Sequence, residues 1–233
     1  MHATPPPPGL IAPSPYPLHG TCIPEPRPGL TAAEWRARHD GFVARARNGG
    51  IDVLFIGDSI TDFFPTRGKD VWQREIAPLG SVADFGIAGD RTQWLLWRVQ
   101  NGELDGSGAR VVVLMIGTNN LGSATPANVA RGIASIVATV RAKLPGAIVI
   151  LNAILPRGAP DDPLRARTAA TNALIAPLAD GVQVRWMDAG PGFLNADGTI
   201  PPALMPDGLH PSNDGYEIWA TALRPVLLDS LSK

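Results

Sequence analysis

The chain reads as an α/β protein built on a five-stranded parallel sheet with helices on both faces. Two observations lead there. Short runs of apolar, β-branched residues alternate with stretches that carry helix start and stop signals, and neither a repeat nor a linker interrupts that alternation. Strands separated by helical stretches of this length need right-handed crossovers, so the expected product is a three-layer α/β/α arrangement in one domain over residues 31–233.

Residues 1–30 stand apart. They hold Pro5 to Pro8, Pro13, Pro15, Pro17, Pro24, Pro26 and Pro28, a composition that forms neither a helix nor a sheet interior. This segment is expected to run extended along the surface or stay loose, without a chemical role.

The elements then follow in order. Thr31-Ala32-Ala33-Glu34 is a capping-box pattern ahead of Trp35 and Phe42, predicting a helix that stops at Gly49-Gly50. Val53-Leu54-Phe55-Ile56 is an apolar run that ends abruptly in Gly57-Asp58-Ser59, as a buried parallel strand does. A weak helix follows around 71–76, a short strand over 82–87 and a helix from Thr92 to about Val99. Val111-Val112-Val113-Leu114-Met115-Ile116-Gly117 is the most strand-like run in the sequence. Thr125-Pro126 opens an amphipathic helix that runs to Leu144, with proline in its favoured first position. A fourth strand over 148–155, a helix over 165–178, a fifth strand over 182–187 and a closing helix over 216–231 complete the pattern.

Composition narrows the function. With 20 Lys+Arg against 21 Asp+Glu and no basic run, nothing points to nucleic acid or an anionic membrane as partner. Cys22 is alone, so no disulfide framework exists within the chain and the redox compartment stays open. No apolar stretch approaches the ~18 residues of a spanning helix, so the protein is expected to be soluble. The first residues are no signal peptide as they stand; the expected location is cytoplasmic, or secreted or periplasmic if a leader has been removed.

The carboxyl ends of the first three strands share one character. They read Gly57-Asp58-Ser59, Gly86-Ile87-Ala88-Gly89-Asp90 and Gly117-Thr118-Asn119-Asn120, each combining glycine with short polar residues. Open α/β sheets collect ligands at that edge. Ser59 taken alone reads first as a helix N-cap. A serine nucleophile also needs a base, and the chain has four histidines. His2 and His19 lie in the proline-rich segment, and His39, between Arg38 and Asp40, reads as a solvated helix position. His210 falls in the loop Asp207-Gly208-Leu209-His210, where both side chains of an Asp-x-x-His turn can point the same way.

These blocks resemble those of the SGNH (GDSL-type) hydrolases. Asp84 to Gln93, Leu96-Trp97-Arg98, Asn101-Gly102-Glu103-Leu104, Leu155-Pro156-Arg157-Gly158, Pro191-Gly192-Phe193 and Asp197 to Ile200 resemble in particular the catalytic subunits of the intracellular acetylhydrolase branch. The resemblance covers about residues 35–230 and implies a flavodoxin-like sheet. It implies Ser59 as nucleophile, His210 as general base and acid, and Asp207 as the residue that orients His210. It implies an oxyanion hole from the Ser59 and Gly89 backbone N–H groups and the Asn119 side chain, an acyl pocket bordered by Ile60, Thr118 and Leu209, no metal or organic cofactor, and a possible homodimer.

The expected activity is hydrolysis of short-chain, acetyl-like esters through an acyl-serine. The alternatives are removal of acetyl groups from a carbohydrate by the same triad and, in a different class, a non-catalytic binding module. Asp84 stands where the family often has asparagine, and is expected to be solvated or hydrogen-bonded near its strand end. Trp94 and Trp97 share a helix face, where core or dimer packing is favoured over carbohydrate stacking.

Overall fold

A computed structural model describes residues 20–233 of the chain, so the reading of residues 1–19 lies outside the described residues. Within them five strands, β1 (Val53–Gly57), β2 (Val82–Gly86), β3 (Val111–Met115), β4 (Ile148–Asn152) and β5 (Val184–Met187), form one sheet. All pairs are parallel, and the order is β2-β1-β3-β4-β5. This is the flavodoxin-like order, in which successive strands are added on opposite sides of β1, so that a crevice opens at the carboxyl ends of β1 and β3. Ser59 follows one of these strands and Thr118-Asn119 the other.

Among the described residues eight α-helices flank the sheet: α1 (Ala32–Arg47), the short α2 (Ser59–Asp62), α3 (Phe64–Arg67) and α4 (Lys69–Val71), then α5 (Thr92–Gln100), α6 (Pro126–Lys143), α7 (Pro163–Ile175) and α8 (Asn213–Leu231). Successive strand residues point to opposite faces, and both faces are dry. On one side Leu54, Ile56, Val112 and Leu114 pack with Leu95, Val99, Ile133 and Ile136. On the other Val53, Phe55, Val111 and Val113 pack with Phe64, Trp72, Tyr216 and Trp219. Continuous apolar strands, rather than alternating ones, follow from this double burial.

One local expectation is met in a different form and one is corrected. The weak helix around 71–76 is a π-helical turn, Trp72–Ile76, in which the Ala77 N–H reaches the Trp72 carbonyl; Pro78 has no N–H with which to extend it. The capping box at α1 is not made. Thr31 has φ −92° and ψ 8°, and its side chain accepts no cap bond, because a capping residue needs extended backbone.

Candidate active site

Ser59 is buried in the first turn after β1. The helix cap is Asp58, not Ser59: its extended backbone and its Oδ1, which accepts from the Ile60 N–H at 3.1 Å, leave Ser59 as the first helical residue. An N–H in that position has no intrahelical acceptor, and among the described residues the Ser59 N–H has no protein acceptor. The turn is tight because glycines let it be. A Cβ on Gly57 would collide with the Thr61 side chain and the Met115 carbonyl, and one on Gly86 with the Asp62 backbone N–H. Burial pushes the Asp58 carboxyl up to about 7 against the Ile60 N–H bond, with the Asp90 charge adding to the rise and Arg157 opposing it.

The loop before α8 brings His210 to this serine. Its Nε2 lies 2.9 Å from Ser59 Oγ and its Nδ1 2.7 Å from Asp207 Oδ2. Asp207 Oδ1 meanwhile accepts the backbone N–H groups of Leu209 and His210, at 3.0 and 2.7 Å. One carboxylate thus folds the turn and holds the ring. Partial burial would raise the Asp207 carboxyl, but the His210 N–H, its ring and the Leu209 N–H outweigh it and hold the group down to about 2. The Nδ1 that faces a carboxylate carries the proton, which leaves Nε2 as the acceptor toward Ser59.

The two remaining expected donors come from the loops after β2 and β3. Gly89 has φ +80°, a conformation that side-chain-bearing residues rarely adopt, and among the described residues its N–H has no protein acceptor. Its loop is tied to the serine turn twice: the Ile87 N–H donates to the Gly57 carbonyl at 3.2 Å, and the Ala88 N–H to Asp62 Oδ2 at 2.9 Å. Asn119 Nδ2 donates to the Asp90 carbonyl at 2.9 Å, so its amide is registered against the residue next to Gly89.

Behind that loop lies a buried ionic cluster. Arg98, fully buried, donates through Nε to Asp90 Oδ2 at 2.8 Å, through Nη1 to Glu103 Oε2 at 2.5 Å and to the Phe85 carbonyl at 2.9 Å. Trp35 Nε1 donates to Asp90 Oδ1 at 2.8 Å, and Glu103 Oε1 pairs with His39 Nδ1 at 2.8 Å. The solvated reading of His39 is therefore wrong: it is 3% exposed, because the partner that makes its burial tolerable lies 64 positions away. Asp84 is hydrogen-bonded as expected through Oδ1, which accepts from the Gly86 N–H at 2.7 Å, but among the described residues its buried Oδ2 has no partner. Burial pushes this carboxyl up to about 8, with the Asp62 charge adding to the rise.

Of the expected acyl-pocket residues, Thr118 is buried and its Oγ1 accepts from Arg157 Nη1 at 3.0 Å, and Leu209 is half-buried. Ile60 is packed in the core cluster with Phe64 and Tyr216, and its carbonyl accepts from Tyr216 Oη at 2.7 Å. Two neighbours of the site had no role in the sequence reading. Phe63 lies 5.3 Å from the His210 ring between centroids; its i+4 spacing from Ser59 was the available signal. Arg157 had only its place in Leu155-Pro156-Arg157-Gly158. Among the described residues no cluster of His, Cys, Asp and Glu could hold a metal ion, and no helix is long and apolar enough to cross a membrane.

Fold and site together define an α/β protein with a serine, a histidine and an aspartate in hydrogen-bonded sequence at the topological switch point. The sequence model of the GDSL-like lipase/acylhydrolase family matches residues 55–218, and the chain belongs to that family. It is 39% identical over 200 residues to the alpha1 subunit of platelet-activating factor acetylhydrolase IB from Bos taurus, covering 85% of this chain and 84% of the relative. To the alpha2 subunit from Gallus gallus it is 36% identical, covering 85% and 86%. Among solved structures, a GDSL-like lipase from Bacteroides thetaiotaomicron superposes with a TM-score of 0.68 at 18% identity, covering 85% of this chain and 97% of that one. A catalytic mutant of an acetylxylan esterase from Geobacillus stearothermophilus superposes with 0.61 at 22% identity, covering 77% and 94%. The chain is a carboxylic ester hydrolase with the flavodoxin-like fold of these neighbours.

Proposed function

We propose that the protein hydrolyses short-chain acyl esters, acetyl above all, with Ser59 as nucleophile, His210 as general base and then acid, and Asp207 as the group that holds the imidazole. The observation that carries this reading is the continuous line from Asp207 Oδ2 to His210 Nδ1 and from His210 Nε2 to Ser59 Oγ, at 2.7 and 2.9 Å.

The chemistry follows from the protons. Ser59 Oγ attacks the ester carbonyl as its proton passes to His210 Nε2, and the carbonyl oxygen takes the negative charge. The Ser59 and Gly89 N–H groups and the Asn119 amide stabilise that charge, each worth about 3 kcal/mol in the transition state. The carbon–oxygen bond to the alcohol breaks as His210 returns the proton to the departing oxygen. Water then gives a proton to His210 and attacks the acyl-serine carbonyl; the bond from that carbon to Ser59 Oγ breaks as His210 returns the proton to Oγ, which releases the acid and restores the serine. Ile60, Thr118 and Leu209 border the acyl group, and of the three Leu209 is the one with exposed surface to offer it. The curated relatives' name, acetylhydrolase, supports the same acyl class.

The test is p-nitrophenyl acetate turnover by wild type and Ser59→Ala, together with fluorophosphonate labelling and identification of the modified peptide. Turnover lost in the variant and a label on Ser59 are expected; an active Ser59→Ala, or a label elsewhere, refutes the assignment. Rates on p-nitrophenyl esters of increasing chain length and on acetylated sugars then define the acyl limit and the alcohol.

A further inference from the structure

We infer that Arg27, from the proline-rich strap ahead of α1, is a positioning residue for the oxyanion loop: it holds the Ala88–Gly89 peptide so that the Gly89 N–H faces the reacting carbonyl. The inference rests on the assignment of Gly89 as an oxyanion donor. Arg27 Nη1 donates to the Ala88 carbonyl at 2.8 Å. That carbonyl and the Gly89 N–H belong to one planar trans peptide and point in opposite directions. Fixing the oxygen therefore fixes the direction of the N–H. A positive charge on the carbonyl also polarises the peptide and strengthens its N–H as a donor.

The strap is built to deliver this one side chain. Thr21 and Cys22 are buried, with Thr21 Oγ1 donating to the Asn128 carbonyl at 2.8 Å and Thr92 Oγ1 donating to the Thr21 carbonyl at 3.0 Å. A Cβ on Gly132 would meet that same Thr21 carbonyl, so α6 leaves room for the strap. The Glu25 N–H reaches the Gln93 carbonyl on α5 at 3.4 Å. Pro24, Pro26 and Pro28 then restrict their own backbone and that of the residues before them, Arg27 included. Between residues 23 and 30, Arg27 alone is not exposed. Its guanidinium lies 5.2 Å from the centroid of the Trp94 ring, which supports it while its Nη1 reaches Ala88. A Cβ on Gly89 would come within 3.0 Å of Arg27 Nη2, so the arginine lies directly against the glycine whose N–H it would aim. Without Arg27 the flanking peptides stay tied, the Ala88 N–H to Asp62 Oδ2 and the Asp90 N–H to the Ile87 carbonyl, while the Ala88–Gly89 peptide between them loses the bond that fixes its carbonyl and is free to turn over.

The full-length chain is assayed as wild type, Arg27→Met, Arg27→Lys and Arg91→Met. Arg91 lies 5.4 Å from the same Trp94 ring and makes no bond to Ala88, so its variant removes equal charge from the neighbourhood without touching the peptide. With p-nitrophenyl acetate, Arg27→Met is expected to lower kcat by about tenfold or more with KM within about twofold, a part of the loss from deleting a donor outright. Arg27→Lys, which keeps charge and a donor, should recover most of kcat, and Arg91→Met should match wild type. Far-UV circular dichroism confirms folding; if Arg27→Met is unfolded, Arg27→Gln replaces it. The inference falls if kcat is unchanged, if KM alone rises, if lysine fails to restore kcat, or if Arg91→Met loses as much. An inactive wild type or an active Ser59→Ala would instead remove the underlying assignment of the site.

Discussion

His210 Nδ1 lies 2.7 Å from Asp207 Oδ2, while the other oxygen of the same carboxylate accepts two backbone N–H groups of the turn that carries His210. A single group therefore sets both where the imidazole is and which of its nitrogens is protonated. In Asp207→Asn, Oδ1 can keep the turn, but an amide NH2 faces Nδ1 and favours the wrong tautomer. A loss in kcat of roughly 10²- to 10⁴-fold is expected, nearer the lower end because Asp207 is half in solvent. Steady-state kinetics with unchanged circular dichroism checks it.

The same bonds carry a pH signature. Asp207 is held down to about 2 in the folded chain against an ordinary value of 3.8. Its contribution to stability is thus complete above about pH 4 and lost as the pH falls toward 2. Between those limits the stability gap between wild type and Asp207→Asn should close, as urea titrations at successive pH values would read. A gap that stays constant over that interval rules the linkage out.

Asn119 is expected to matter to rate and little to fold. It is half-buried, and its side chain is tied to the rest of the protein by a hydrogen bond to the Asp90 carbonyl. Asn119→Ala should lower kcat about 10²- to 10³-fold, as loss of one oxyanion donor does, with a melting temperature within about 3 °C of wild type, since such a change is worth at most about 1 kcal/mol. A variant that keeps full kcat would remove Asn119 from the oxyanion hole.

Arg98 should behave in the opposite way. It is fully buried between Asp90 and Glu103, and its removal takes the guanidinium from both carboxylates, leaving Asp90 with Trp35 and Glu103 with His39 as their side-chain partners among the described residues. Arg98→Met should cost about 3–5 kcal/mol in denaturant unfolding, the scale of breaking one side of a buried ion pair. Asp90 also carries the carbonyl on which Asn119 rests, so kcat should fall in whatever fraction remains folded.

Asp84→Asn should stabilise the protein at neutral pH. The carboxyl is pushed up to about 8 by burial, and among the described residues Oδ2 has no partner. The folded chain therefore binds more protons than the unfolded one between about pH 4 and 8, and stability falls as pH rises through that window. A neutral amide keeps the Gly86 bond and removes this penalty. A gain of roughly 1–2 kcal/mol is expected at pH 8, shrinking toward pH 4; thermal melts at both values test the sign.

Local patterns are enough to reveal the architecture. Burial on both faces makes a parallel strand a continuous apolar run, so β1 and β3 were legible, and Thr125-Pro126 marked α6 because proline suits a helix start. Ser59, Gly89, Asn119 and the Asp207/His210 pair were visible as glycine-rich strand ends and one Asp-x-x-His turn. What no local pattern carries is which distant groups meet. Ser59 and His210 are 151 positions apart, His39 is buried only because Glu103 pairs with it, and Arg27 gains a task only where the strap crosses the Ala88 carbonyl. Periodicity reports the side of an element that is apolar; it holds no information on the partner across a gap. Pairing of that kind depends on sheet order and loop path, so only the tertiary structure decided it.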